Sequence, residues 1–241
     1  MKKLLLFLVT FLLPIAANAD PVEIDGIFYN LIIKGKVAEV TTNPNGYKGD
    51  VVIPETIIYE DTEYRVTTIS DVAFHGCIEL SSLIIPENAI SIGNSAFYGC
   101  KSLTSIYIPK GITSIGEDAF AACTGLTSVH ISDLEAWCNI SFKSYESNPL
   151  RYAHHLFLNN EEIKDLIIPQ NVITIRKFVF SYIDGLASVI INDNVTSIEI
   201  GAFSGCSNLT AITIPDRVVS IGEYNQEIKG ETNVEIIPVI A

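Results

Sequence analysis

The residues here that could do chemistry are five cysteines, four histidines and a scatter of acids. Cys77, Cys100 and Cys123 stand 23 residues apart, and Cys206 falls in the same column further along. Stacked on neighbouring rungs about 4.8 Å apart, such thiols lie near enough to bridge. The column also contains Ile183, however, and a position that accepts isoleucine is a small buried apolar one. We therefore expect buried, reduced thiols. Cys138 lies outside the column, and no C-x-x-C is present to hold structural zinc. His154 and His155 are adjacent, so on a helix they diverge by about 100° and do not share a metal. His75 and His130 stand alone. There is no H-E-x-x-H, G-x-S-x-G or phosphate-loop glycine pattern. No catalytic residue, cofactor or metal is expected. Asn139, Asn194 and Asn208 open N-x-[ST] strings, which are too short to carry weight.

What positions these residues is a repeat. Ile69, Ile92 and Ile115 share the 23-residue step, as do Phe74, Phe97 and Phe120, and Leu80, Leu103 and Leu126. After an interruption it resumes: Ile175 to Ile198, Phe180 to Phe203, Leu186 to Leu209. A fixed period of this length marks a solenoid whose coils bury one apolar face against the next. Copies start at Thr68, Ser91, Ser114, Thr174 and Ser197, with a degenerate one upstream around VVIP and a partial one at Ser220. Within a copy, Leu103-x-x-Ile106-x-Ile108 reads as a strand that Pro109 bounds. The Phe and Cys that follow the next turn point inward. Gly93 or Gly116 is expected to adopt a backbone shape that a side chain would hinder.

Alternation then fixes an outward column: Val52, Ile84, Tyr107, His130, Ile167, Ile190 and Thr213. Beside it runs a short polar column including Ser82, Ser105, Ser128, Asp165 and Ser188, and the positions from Glu55 to Asp216 that follow the strands form a mostly acidic margin. An apolar, aromatic centre with a polar edge describes a binding groove, although β-branched residues favour strands anyway. The candidate binding residues are Ile84, Tyr107, His130, Ile167, Ile190 and Thr213.

The string S-I-G-x-x-A-F-x-G-C-x-x-L-x-x-I-x-I-P, clearest at 91–109 and 197–215, resembles the BspA-type leucine-rich repeat family over residues 50–222. The resemblance implies a mainly-β or α/β-type curved solenoid with a parallel sheet on its concave face. It also implies an exported or surface-exposed protein that binds proteins, host components or glycans. The pattern departs at Ile183, at Ser132 and Asn192 where proline is usual, and at an insertion after Ser132.

In chain order, residues 1–19 read as an export signal, with Lys2 and Lys3, an apolar run and Ala17-Asn18-Ala19. The run is too short to span a membrane, no later stretch does so, and no cysteine follows the cleavage site for lipid attachment. The protein is thus expected in the periplasm, on the cell surface or secreted. Residues 20–67 form an N-terminal β cap and degenerate first repeat, with turns at Asp25-Gly26, Lys34-Gly35 and Glu60-Asp61. Regular repeats fill 68–132. An enlarged variant repeat fills 133–173: a short helix bearing Trp137, a second started by Pro149, a hairpin at Asn159-Asn160, and a strand rejoining the ladder at Leu166 and Ile168. Repeats return over 174–222, and 223–241 is a cap or a shortened array. The net charge of −13 disfavours nucleic acid as a partner. The reading is a non-catalytic exported protein whose concave face recognises a protein or host component. The alternative is a glycan-binding module with Tyr107 and Trp137 stacking on sugar, and an enzyme is the remaining possibility.

Overall fold

The computed structural model describes residues 20–225 and 235–238. The signal at 1–19 and parts of the C-terminal segment 223–241 lie outside the described residues. The chain is a mainly-β parallel solenoid. Each regular coil contributes two short strands. One is the Ser-Ile pair: Ser91–Ile92 pairs in parallel with Ser114–Ile115, and Thr68 and Ile69 pair with it from the other side. The other is the Leu-x-x-Ile-x-Ile stretch: Ser105–Tyr107 pairs in parallel with Ser128–Ile131. Ile106 and Ile108 are buried while Ser105 is exposed, as a pleated strand demands.

The return segment carrying Ala-Phe and Gly-Cys is a run of turns with left-handed backbone at two places per coil, Ser95 (φ 50°) and Gly99 (φ 71°) in one, Asp118 (φ 54°) and Ala122 (φ 57°) in the next. Gly93 and Gly116 owe their identity to something other than backbone shape. A Cβ on Gly93 would fall 2.4 Å from the Asp71 nitrogen, and one on Gly116 2.5 Å from the Asn94 nitrogen. Glycine lets one coil nest against the last.

The core is a set of columns. The rings of Tyr47, Phe74, Phe97 and Phe120 follow one another at 4.4, 5.2 and 5.1 Å, and Phe180 and Phe203 at 5.6 Å. All five cysteines are buried, Cys138 included. The Cys100, Cys123 and Cys206 thiols donate to the carbonyls of Phe74, Phe97 and Phe180 at 3.2, 2.9 and 3.0 Å. The column is therefore small and apolar but also gives a buried carbonyl a donor, a second one at Phe74 and Phe97 beside the N–H of Cys77 and Cys100, which explains cysteine better than size alone. The neighbouring Cys123 thiol, and then burial, push the Cys100 thiol far above its ordinary range, and burial pushes Cys77 up as well.

At the N-terminus, Val22–Ile24, Ile27–Ile32 and Val37–Val40 pair antiparallel, and the third runs parallel to Thr62–Ile69, so this segment extends the first sheet. Thr56–Tyr59 pairs antiparallel with Thr62–Ile69 through Glu60 (φ 46°) and Asp61 (φ 59°). The Tyr47 hydroxyl donates to the Thr41 carbonyl and accepts from the Phe28 N–H, and burial pushes its pKa up to about 12.

The extra residues of the middle coil divide in two. Ser114 pairs with Ser141, and Val129 with Leu156, a step of 27 against the usual 23. The first four extra residues are absorbed by helix α1 (Leu134–Cys138), capped by the Asp133 carboxylate, which accepts from the Ala136 N–H at 2.9 Å. The other ten fall beyond Leu158, in the turn at Asn159 (φ 51°) and Asn160 (φ 67°), the antiparallel strand Glu161–Glu162 and the stretch up to Ile168. The strand that continues the ladder is Leu156–Leu158, not the expected Leu166 to Ile168. Asp165–Ile167 instead opens a new sheet with Ser188–Ile190. The ladder breaks on the other side as well: one sheet ends at Ser141–Phe142 and the next begins at Thr174–Ile175.

Register puts Ser147 where phenylalanine is due. Trp137, 1% exposed, supplies the aromatic volume, packing edge-on against Phe142 and donating Nε1–H to the Val179 carbonyl at 3.0 Å. Helix α2 (Leu150–Ala153) follows Pro149 and ends at His154 (φ 59°). The Asn148 amide donates to the Phe178 carbonyl at 2.7 Å, and its oxygen accepts from the Leu150 N–H at 2.9 Å. Among the described residues, no helix is long and apolar enough to cross a membrane.

Candidate binding surface

The histidines do not converge. His75 stacks on Tyr98 at 4.9 Å, and His130 bonds Ser128. His154 faces Asp184 at 3.7 Å, and His155 meets Glu162 at 2.6 Å. Among the described residues, no group of three or more His, Cys, Asp or Glu is placed to hold a metal ion.

The outward column is a real alignment in three lengths. Val52 pairs with Ile84; Tyr107, His130 and Phe157 form the second length; Ile167, Ile190 and Thr213 form the third. Phe157 takes the place next to His130 that the spacing assigns to Ile167. Its signal was legible in Leu156-Phe157-Leu158, which alternates like every other such strand but, like those that end before Ser132 and Asn192, lacks the usual proline. Val52, Ile84, Ile167 and Ile190 are 48 to 62% exposed. Tyr107 and His130 are half-buried. The Tyr107 hydroxyl bonds Glu87 at 3.0 Å and Ser132 at 2.9 Å, with burial pushing the phenol up, and the His130 ring stacks on Phe157 at 4.8 Å. These two are held by their neighbours, and the isoleucines are the uncommitted apolar groups.

Much of the acidic margin is also engaged. Glu55 accepts from the N–H groups of Glu87 and Asn88 at 2.8 and 3.0 Å, and Asp133 caps α1. Asp50 accepts from Ser82 and Ser81, which lower its pKa in that order. Trp137, a sugar-stacking candidate in the sequence, is interior and offers no face to a ligand. The Ser-Ile sheet presents a contrasting surface, a hydroxyl-lined groove of about 570 Å³ along Thr68, Ser91 and Ser114, with Glu39 and Lys143 at its sides.

A family model for the BspA type leucine rich repeat region matches residues 55–154 and 151–236 in six copies. Among solved structures, the chain is similar to a leucine rich cell surface protein of Faecalibacterium prausnitzii A2-165, with TM-score 0.58 and 23% identity over 92% of this chain. It spans 55% of that protein's chain. It is also similar to the leucine rich repeat protein of T. pallidum, with TM-score 0.54 and 23% identity over 83% of this chain and 85% of that one. No curated protein matches the chain.

Proposed function

Because the chain belongs to the BspA-type leucine-rich repeat family, we propose that it is an exported, non-catalytic binding protein that recognises a protein partner, such as a host component, through the outward face of its Leu-x-x-Ile-x-Ile strands. The observation that carries this reading is the register of exposed apolar side chains along that face, Val52 with Ile84 and Ile167 with Ile190. Apolar groups lined up in water cost free energy that a partner recovers by covering them. Tyr107, His130 and Phe157 form the ordered centre of the stripe, and Thr213 continues it. Residues 1–19 serve as the export signal in this reading. The excess of acid over base favours a partner that is not strongly anionic.

The test starts from the protein that the full chain retains in a pull-down from its native surroundings. That protein is titrated against wild type, an Ile84→Ser/Ile167→Ser/Ile190→Ser variant, and a Lys101→Ala control. The triple variant should lose at least about 2 kcal/mol of binding, near 30-fold, while keeping its thermal transition. Undiminished binding by a folded triple variant would mean that the stripe is ordinary strand surface.

A further inference from the structure

The left-handed positions of the return segment hold mostly small residues, and the coils that start at Thr174 and Ser220 break that habit with aromatic ones. The fifth place of a coil is Ser95, Asp118 or Gly201, with Val72 the bulkiest among the earlier coils. The ninth is Gly76, Gly99, Ala122 or Gly205. In the coil that starts at Thr174 these places are Phe178 (φ 63°) and Tyr182 (φ 62°), and in the one that starts at Ser220 the fifth is Tyr224 (φ 57°). Left-handed backbone strains a bulky residue, and residues so held gather at functional sites.

The neighbouring coil is cut to receive these rings. A Cβ on Gly201 would lie 2.9 Å from the Phe178 ring, and one on Gly205 2.6 Å from the Tyr182 ring. The rings lie across the two glycines. With Tyr145, Tyr224 and Ser204 they line a cleft of about 310 Å³. Tyr145 and Tyr224 are 48% and 59% exposed, so its walls are open to solvent. The Arg151 guanidinium sits 4.5 Å from the Tyr182 ring centroid.

We propose that this cleft binds a neutral sugar ring of a glycan. Its chemistry selects that class. The walls are largely aromatic, and aromatic rings suit the C–H faces of a pyranose; the lining also carries phenol and Ser204 hydroxyls that both donate and accept. None of the lining residues is an acid or a base, and the Arg151 cation beside the cleft packs on the Tyr145 and Tyr182 rings and faces Glu146 at 3.9 Å, so the lining favours an uncharged ligand. Its residues belong to turns, a bend and the start of a short 3-10 helix, not to an open strand edge, so an extended peptide has no ladder to join. This site is separate from the strand stripe and stands or falls independently of it.

The test is titration calorimetry of the full chain with maltohexaose, cellohexaose, mannohexaose and chitohexaose, and with a decaproline peptide. At least one saccharide should bind wild type. Tyr145→Ala and Tyr224→Asn should each weaken it at least about tenfold, and Tyr98→Ala, an exposed tyrosine elsewhere, should not. Asparagine tolerates left-handed backbone, so Tyr224→Asn should keep or raise the melting temperature while binding is lost. Failure of every saccharide to bind overturns the proposal, as does a saccharide affinity that survives both substitutions. Decaproline binding that is lost in these variants, with no saccharide bound, assigns the cleft to a proline-rich peptide instead.

Discussion

Between Thr68 and Ser132 each coil copies the last, whereas between Asp133 and Ile173 the chain abandons the pattern twice and the core still closes. The regular coils fill their centre with stacked phenylalanines. The irregular one puts Ser147 in that column and brings Trp137 in from a helix. The cysteine column passes through Leu150 and the leucine column through Ala153, both buried. The difference teaches that a column specifies volume and polar satisfaction, not residue type. Where volume arrives from outside the column, buried carbonyls are met by side chains, as Asn148 and Trp137 meet those of Phe178 and Val179.

The sharpest way to break this comparison is to empty both cores. Phe97→Ala removes a ring from a continuous stack and should cost about 3–5 kcal/mol in guanidinium unfolding followed by circular dichroism. Trp137→Ala should cost as much, because it empties the aromatic volume of the irregular coil and leaves the Val179 carbonyl only its longer bond from the Asn148 amide, at 3.4 Å. A loss under about 1 kcal/mol for Trp137→Ala would make the insertion an appendage. Next in size, Asn148→Ala should cost about 2–3 kcal/mol and speed amide exchange at Leu150, whose N–H loses its acceptor. An unchanged exchange rate there would deny the polar closure of the irregular coil.

The smallest effect distinguishes nothing in kind between the two regions, which is its point. Cys77, Cys100 and Cys123 in the column and Cys138 in the insertion should all resist alkylation until denaturant is added, as intact mass will show. Burial, with Glu135 and Asp133 adding to it, pushes the Cys138 thiol up to about 12. The folded state therefore keeps a proton that the unfolded chain gives up. Stability from this group is whole below the ordinary thiol value near 9 and declines as pH rises from there towards 12. Buried Tyr47 acts in the same direction from 10 upwards. A Cys138→Ala variant whose alkaline loss equals that of wild type would contradict the assignment.

The columns, the inward strands, the helix bearing Trp137 and the tight turns at Asp25-Gly26, Glu60-Asp61 and Asn159-Asn160 were legible because period and turn chemistry are local. The path of the insertion was not. Leu156-Phe157-Leu158 and Leu166-Ile167-Ile168 alternate equally well, and only the second carries the proline, so the proline drew the register to the wrong strand. Which outward residues are free was equally hidden, because Tyr107 and His130 satisfy themselves on neighbours from other coils. The strained aromatics were visible in principle. Phe178 and Tyr182 fall in columns otherwise held mostly by small residues, but their meaning needs the φ angles.

The paired breaks in the ladder have a mechanical consequence. On either side of the irregular coil, strands are joined by backbone bonds that share a load between rungs. Across it the bonds between the two blocks include the Asp184 N–H to the His154 carbonyl, the His154 ring with the Tyr182 carbonyl, Asn148 and Trp137 to the carbonyls of Phe178 and Val179, Asn171 to Glu135, and Lys177 to the Lys143 carbonyl. A tensile force applied along the array is therefore concentrated on this small set of mostly side-chain bonds at one joint. Pulled from its ends, the solenoid should yield there first, releasing two intact spools instead of unwinding coil by coil.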